Sequence, residues 1–277
     1  MYNYLLFFLL FILGCEIINP EETIPSYIEI NQFNLHTNYD QGTSSNKIED
    51  VWVFIDDNLQ GVYELPAILP VLKEGKHKIE LKAGIKKNGI SASRGYYPFY
   101  TSYIDSIEMK YDSIVKINPN ITYNIQNIPF IEDFENSGIK IINSGGSDTS
   151  IIVKNDINSF EGKYGLAELN ENQNIFECST YDNFIFSNSQ NIYLEMDYKS
   201  NVTFVVGIYV TTPFEIIQEP FLYINPKENW NKIYVDLSQK IASYNNALSF
   251  NIWIGFGNNS KENKRIMIDN IKVVYNE

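Results

Sequence analysis

The chain has 277 residues, 44% of them apolar and 14% aromatic, which is enough for one large or two ordinary domains and excludes intrinsic disorder. Its formal net charge of -13 argues against nucleic-acid binding, which needs clustered Lys and Arg, and against ionic attachment to anionic lipid. Frequent Ile, Asn and Tyr residues favour strands and turns over helices.

An uninterrupted apolar run opens the chain, from Leu5 to Leu13. As a helix it would be about 14 Å long, against about 30 Å for bilayer hydrocarbon, so it predicts a signal-peptide core and no membrane span. The segment I-L-G-C that ends at Cys15 resembles the bacterial lipobox. This resemblance implies that residues 1–14 are removed and that a diacylglycerol on Cys15 anchors the protein to a membrane.

The residues that follow, 15–23, predict a polar and acidic tether. They resemble the acidic stretches behind the lipidated cysteine of surface-exposed lipoproteins of the Bacteroidetes, although a plain solvated linker explains the same residues. The leader departs from the signal-peptide pattern because its first basic residue is Lys47. We expect a lipoprotein of the cell envelope, held at the outer membrane and exposed at the surface.

Residues 24–126 predict a β-sandwich, because short alternating segments recur between turn sequences such as D-D-N, E-G-K and N-G. The strand patterns begin at Tyr27, Val51, His77, Ser106 and Ile114. The stretch from Val51 to Leu81 resembles the PEGA-type and other immunoglobulin-like modules of bacterial envelope proteins. That resemblance implies a small sandwich that spaces or docks and has no catalytic role.

Four aromatic residues surround a proline between residues 95 and 101, at Tyr96, Tyr97, Phe99 and Tyr100. Contiguous exposed aromatic patches are rare on soluble surfaces. We therefore predict that this segment fills the interface with the second domain. A partner-binding edge is the alternative.

Residues 127–277 predict a second domain through four sequence segments. They are P-F-I-E-D-F-E from Pro129, E-G-K-Y-G-L from Glu161, W-N-K-I-Y-V-D-L from Trp230 and I-D-N-I-K from Ile268. In this order they resemble the galactose-binding-like jelly rolls that include many carbohydrate-binding modules. The predicted fold class is all-β, an immunoglobulin-like β-sandwich followed by a β-jelly-roll sandwich.

The same resemblance implies a structural calcium ion, because the first and last strands of that family lie together and often hold one. By position, Glu135 and Asp269 are the principal candidate ligands, and Glu132 and Glu161 are further candidates. The alternative is that these acidic residues only cap the ends of strands and are exposed to solvent, which would give the same sequence pattern.

Strand alternation selects a set of candidate ligand-binding residues. On one predicted strand, the face opposite the aliphatic residues carries Tyr193, Glu195 and Asp197. On two later strands, the corresponding face carries Tyr234 and Trp253. If these strands share a sheet, one face combines aromatic rings with carboxylates, as sugar binding requires. The pattern equally fits a face that packs on the opposite sheet or on the first domain.

No G-x-S-x-G, H-E-x-x-H, phosphate-loop or Cys/His metal motif occurs, so we expect no enzyme. A glycosidase interpretation rests only on Glu195 and Asp197, about 7 Å apart on one strand face.

We predict that Cys178 is a small buried hydrophobe. The sequence favours a non-catalytic binding or docking module of the envelope, with envelope proteins as partners. Polysaccharide binding at the jelly-roll face is the alternative.

Overall fold

The computed structural model describes residues 24–187 and 190–276. The predicted leader, Cys15 and the acidic tether lie outside the described residues. Among the residues described, no helix is both long and apolar enough to cross a membrane.

The N-terminal sandwich is built from short strands in three sheets. Its strands are β1 (Ser26–Ile30), β2 (Asn34–His36), β3 (Asp50–Ile55), β4 (Asn58–Glu64), β5 (Ala67–Val71), β6 (Gly75–Lys86), β7 (Arg94–Tyr96), β8 (Tyr103–Met109), β9 (Ile114–Ile117) and β10 (Asn120–Thr122). One sheet has the order β5–β1–β9, a second has the order β4–β3–β6–β7 with β8 also paired to β6, and β10 pairs with β2. A 3-10 turn covers Tyr39–Gln41.

Alternate residues of facing strands build the core of this sandwich. Val51 and Val53 of β3 are fully buried, as are Ile79 and Leu81 of the neighbouring β6. They belong to one cluster with buried residues of β1 and β5, such as Ile28. The period-2 pattern of the sequence thus becomes two sheet faces packed against each other.

The C-terminal sandwich has two larger sheets. Its elements are β11 (Phe130–Glu132), β12 (Ile141–Asn143), β13 (Ile152–Lys154), β14 (Tyr164–Leu169), β15 (Ile175–Thr180), β16 (Ile192–Ser200), β17 (Phe204–Thr211), β18 (Ile216–Ile224), β19 (Lys227–Asp236), α1 (Ser238–Ala242), β20 (Ser249–Gly257) and β21 (Lys264–Tyr275). The junction sheet has the order β13–β14–β21–β16–β19, with β11 paired to β21, and the outer sheet has the order β12–β15–β20–β17–β18. The predicted fold class is confirmed.

One apolar core lies between the junction sheet and the outer sheet. Leu194 and Met196 of β16 and Ile252 and Ile254 of β20 all lie in it. Cys178 of β15 is a buried free thiol in the same core, and burial raises its pKa. The prediction that Cys178 is a buried hydrophobe is confirmed.

The aromatic segment of the N-terminal sandwich packs on the other face of the junction sheet. The ring of Tyr97 lies 5.1 Å from the ring of Tyr193 and 5.0 Å from that of Tyr234, centroid to centroid. Phe99 lies 6.1 Å from Tyr193, and Tyr100 is also buried. The predicted interface role is confirmed for Tyr97, Phe99 and Tyr100, whose rings fill the contact between the two sandwiches. It is wrong for Tyr96, which is 47% exposed and packs on Trp52 of its own sandwich.

A seam of hydrogen bonds runs along the edge of the same contact. The Asn88 backbone N–H donates to the Tyr234 carbonyl at 2.8 Å, and the Asp236 N–H donates to Asn88 Oδ1 at 2.8 Å. Lys87 Nζ reaches Asp236 Oδ2 at 3.0 Å. Asn88 has a φ of 57°, a left-handed conformation that Asn tolerates better than most residues. The two sandwiches are therefore tied by backbone as well as by side chains.

Glu195 is the charged centre of the contact and is completely buried. Tyr97 Oη donates to Glu195 Oε1 at 2.7 Å, while Tyr123 Oη lies 3.0 Å from Oε1 and 2.9 Å from Oε2. The Lys232 ammonium lies 3.2 Å from Oε2. Burial, together with the Glu195 charge, raises the pKa of Tyr97 and Tyr123 well above the usual range, so both phenols stay protonated donors. A buried carboxylate of the C-terminal sandwich thus depends on hydroxyl groups of the N-terminal one.

Tyr123→Phe removes the donor that serves both oxygens of Glu195. We expect the free energy of unfolding to fall by about 1.5–3 kcal/mol, the range for a hydrogen bond to a charged group. Because the contact is shared, denaturant titration should show one transition that shifts as a whole.

Tyr39→Phe is the matched control, since Tyr39 is 93% exposed. It should leave the transition in place. Two separate transitions, of which Tyr123→Phe shifts only one, would contradict the coupling of the sandwiches.

Candidate functional site

The predicted ligand-binding residues do not share one sheet. Tyr193, Glu195 and Asp197 lie on β16 and Tyr234 on β19, in the junction sheet, whereas Trp253 lies on β20, in the outer sheet. The condition that these strands share a sheet holds for β16 and β19 and fails for β20, because the same alternation occurs on strands of both sheets. The four junction-sheet residues are buried beneath the N-terminal sandwich. Of the alternatives that the sequence left open, packing on the first domain is therefore correct for them, and the ligand-binding face is wrong.

Glu195 and Asp197 are both occupied inside this contact. Asp197 Oδ1 accepts a hydrogen bond from Ser45 Oγ at 2.8 Å, and Oδ2 accepts one from Asn270 Nδ2 at 3.1 Å. Glu195 is bound by tyrosine hydroxyls and lies 3.2 Å from the Lys232 ammonium. Neither carboxylate meets solvent, so the pair has no room for the substrate that a glycosidase needs.

Trp253 lies on the outward face of the outer sheet but is only 6% exposed. Its ring lies flat over Gly207 of the neighbouring β17, where an added side-chain carbon would come within 2.3 Å of the ring. The ring of Tyr209 lies 6.2 Å away, centroid to centroid, at an interplanar angle of 40°. Trp253 Nε1 is buried and has no hydrogen-bond partner among the described residues. Trp253 therefore packs against the outer sheet, and its ring is not exposed for a ligand to stack on.

Polar side chains surround Tyr209 on the same face. The Tyr209 hydroxyl donates to Glu177 Oε1, and Gln218 Nε2 donates to Glu177 Oε2 at 2.5 Å. Burial and the hydrogen bond to Glu177 raise the pKa of Tyr209 above its usual range. Tyr209 thus stays neutral, and both carboxylate oxygens of Glu177 are already engaged.

A groove with a volume of about 560 Å³ runs across this end of the outer sheet. It is lined by Ile142, Ser144, Ser179, Thr180, Tyr181, Asn183, Tyr209, Thr211, Ile216, Ser249 and Asn251. Tyr181 is 68% exposed, and no charged residue is in this lining. The side-chain hydroxyls of Ser179, Thr211 and Ser249 have no hydrogen-bond partner in the described chain. We call this feature the Tyr209 groove.

The residues of the Tyr209 groove fit the chemistry of a sugar. Aromatic rings cover the C–H face of a pyranose, and Ser, Thr and Asn side chains both donate to and accept from hydroxyl groups. A groove of this volume is within the range of small-molecule sites, about 300–1,000 Å³. Sequence reasoning missed it because Tyr181, Tyr209 and Ser249 come together only through the strand order. The one local signal is Tyr209, a large polar side chain on the otherwise apolar β17.

Glu132 does not fit its predicted role as a calcium ligand. Its Oε1 accepts the Phe134 N–H at 2.8 Å, and its Oε2 accepts the Lys140 N–H. Burial raises the pKa of Glu132. The Glu132 carboxyl therefore stabilises the turn that follows β11, and its prediction as a calcium ligand is wrong.

The other predicted calcium ligands lie within electrostatic reach of one another. Burial, together with the charges of Asp197, Glu161 and Glu135, raises the pKa of Asp269 to about 8. Asp269 Oδ2 is buried and has no hydrogen-bond partner among the described residues. An unpartnered carboxylate oxygen suits a hard cation in its chemistry. However, no group of three or more His, Cys, Asp or Glu residues in the described chain is placed to hold a metal ion. The calcium site stays a prediction.

No protein-family model matches the chain, and no curated protein matches it. Several solved structures are similar to it. One, from work on the promiscuous specificity of carbohydrate-binding modules of the β-sandwich superfamily, has 14% identity and a TM-score of 0.39, and covers 82% of this chain and 84% of its own. A xylan-binding domain from Paenibacillus barcinonensis has 9% identity and a TM-score of 0.39, covering 54% and 94%. The enzymatically active domain of tailspike protein 4 of bacteriophage CBA120 has 14% identity and a TM-score of 0.38, covering 52% and 20%.

Calcium binding is tested by thermal unfolding of chelator-treated protein. If Asp269, Glu135 and Glu161 bind Ca²⁺, adding Ca²⁺ at about 100 times its Kd stabilises the fold by about 2.7 kcal/mol and raises Tm. Asp269→Asn should abolish this response. Asp57→Asn, which changes an exposed acid of the N-terminal sandwich, should retain it.

The opposite result is equally clear. The wild-type Tm would then not change with Ca²⁺, and Asp269→Asn would have a higher Tm than the wild type in chelator. Those results would show that Asp269 is an unpartnered buried carboxyl and does not bind a metal ion.

Proposed function

We propose that this protein is a lipid-anchored envelope protein whose jelly roll binds an uncharged glycan in the Tyr209 groove. The observation that carries the proposal is the groove itself, which combines aromatic side chains with free hydroxyl groups and has no charged lining. An uncharged lining disfavours acidic sugars, since it offers no cation to balance their charge.

The groove suits binding without catalysis. Glycoside hydrolysis uses two carboxyl groups on opposite sides of the scissile bond. Glu177, a carboxylate on this face, accepts hydrogen bonds from Tyr209 and Gln218 with its two oxygens. No second acid lines the groove within the described residues.

The anchor belongs to the same proposal. A diacylglycerol on Cys15, followed by the acidic tether, would hold the two sandwiches at the outer membrane. The N-terminal sandwich covers the middle of the junction sheet, so the outer sheet is the broad face of the jelly roll that stays open to a polysaccharide.

Protein docking is a second candidate function. The sheet β5–β1–β9 exposes Ile68, Leu72 and Ile114 at the surface of the N-terminal sandwich. Exposed apolar side chains on one sheet face are typical of protein contacts. This face favours an envelope protein as an additional partner.

Glycan binding is tested with the full chain on an array of neutral and acidic polysaccharides, followed by titration calorimetry. Tyr181→Ala should weaken binding of a neutral glycan about 5- to 10-fold, because an aromatic contact contributes about 1–1.4 kcal/mol. Ser249→Ala should weaken it by a smaller factor. Tyr39→Ala removes a ring that is more exposed still and lies elsewhere on the surface, and it should bind as the wild type does.

Two results would contradict glycan binding. One is the absence of any neutral ligand on the array, and the other is unchanged affinity in Tyr181→Ala. If an envelope protein is captured instead, and Ile68→Asp abolishes its capture, docking is the better account.

The anchor is tested by metabolic labelling with a radioactive fatty acid in a bacterial host. Cys15→Ser should lose the label and move the protein out of the membrane fraction. Cys178→Ala is the control, because Cys178 is the second of two cysteines and lies in the core. Label retained by Cys15→Ser would show that Cys15 is not the lipidation site.

A further inference from the structure

A second groove lies on the junction sheet, on the side of the jelly roll opposite the Tyr209 groove. Its volume is about 500 Å³, and Lys199, Lys227 and Arg265 line it together with Glu228 and Met267. We call it the cationic groove.

Strand register places two of the three cations, Lys199 and Arg265, on one face of the junction sheet. Lys199 of β16 lies opposite Met267 of β21, and Arg265 stands two residues before Met267, on the same face. Lys227 begins β19 opposite Ser200 of β16, just past a shift in register between Tyr198 and Ser200, and it lines the same groove. Diagonal neighbours on adjacent strands are about 7–8 Å apart, within reach of long side chains.

The N-terminal sandwich does not cover this end of the junction sheet. On β16 its contact ends near Asp197, which binds Ser45. Lys199 is the next residue on that face, and it is only partly buried, while Lys227 and Arg265 are exposed. The groove is therefore open to solvent.

The charges of the cationic groove are not neutralised by neighbouring side chains. Many other cations of this chain form ion pairs, for example Lys240 with Glu219 at 2.5 Å and Lys87 with Asp236 at 3.0 Å. In the described chain, Lys199, Lys227 and Arg265 form no ion pair within 4.0 Å. Glu228 is the one carboxylate in the lining. Three cations thus face one acid in a chain whose net charge is -13.

The geometry points to a binding site for an oxyanion, a carboxylate or sulfate, carried by an acidic sugar or present as the free ion. A guanidinium fork beside two ammonium groups is the donor set that oxyanions prefer. The volume exceeds that of a single ion and matches a small organic ligand. This site is separate from the Tyr209 groove, so it does not depend on the function proposed there.

The test titrates the full chain with glucuronate, glucose and inorganic sulfate and measures each affinity by calorimetry at low salt. Glucuronate should bind, glucose should not compete for the site, and added NaCl should weaken the affinity. Lys199→Gln combined with Arg265→Gln should lower the glucuronate affinity at least 10-fold. Lys154→Gln combined with Lys261→Gln removes two exposed cations outside the groove and should change nothing.

The other possible results of this titration also support or overturn the oxyanion site. Sulfate that binds as tightly as glucuronate, with the same loss in the groove variant, supports an oxyanion site filled by the free ion. Absence of glucuronate and sulfate binding, or an equal loss in both double variants, overturns the proposal. If the groove variant does not fold, Lys227→Gln at the exposed start of β19 replaces it, with an expected 3-fold loss, and an unchanged affinity there overturns the proposal as well.

Discussion

The carboxylate of Glu195 is the group on which the arrangement of this protein depends. It lies fully buried on the junction sheet, yet two of its hydrogen-bond donors, Tyr97 and Tyr123, belong to the other sandwich. A buried carboxylate that loses its partners is strongly destabilising, whereas a paired one contributes little net stability. The contact therefore fixes how the two sandwiches sit more than it strengthens either of them. The rings of Tyr97, Tyr193 and Tyr234 add the apolar area around this charge.

This contact also decides which surfaces remain available for binding. It covers the middle of the junction sheet and leaves the outer sheet and the far end of the junction sheet open. The two open grooves differ in chemistry, since one has an uncharged lining around Tyr209 and the other has three cations around Met267. A chain with both sites would distinguish neutral from acidic groups on opposite sides of one jelly roll.

Local periodicity was sufficient to predict the β-class, the inward residues of the strands and the aromatic segment at the interface. It correctly set Tyr193, Glu195 and Asp197 opposite the core, because alternation is a property of the strand alone. It failed to separate Trp253 from them, since strand order is not local, and the junction and outer sheets carry the same pattern. The prediction for Glu132 failed for another reason, because the backbone N–H groups of Phe134 and Lys140 occupy both of its oxygens. The Tyr209 groove joins residues from distant segments, so no sequence window contains it.

The most direct test of the central claim, that the outer sheet is the ligand-binding face, is amide chemical-shift mapping of the full chain during titration with neutral oligosaccharides. We expect shifts at Tyr181, Tyr209 and Ser249 that saturate together, while the amide shifts of residues around Glu195 do not change. Shifts confined to the N-terminal sandwich, or no saturable shift with any neutral oligosaccharide, would contradict it.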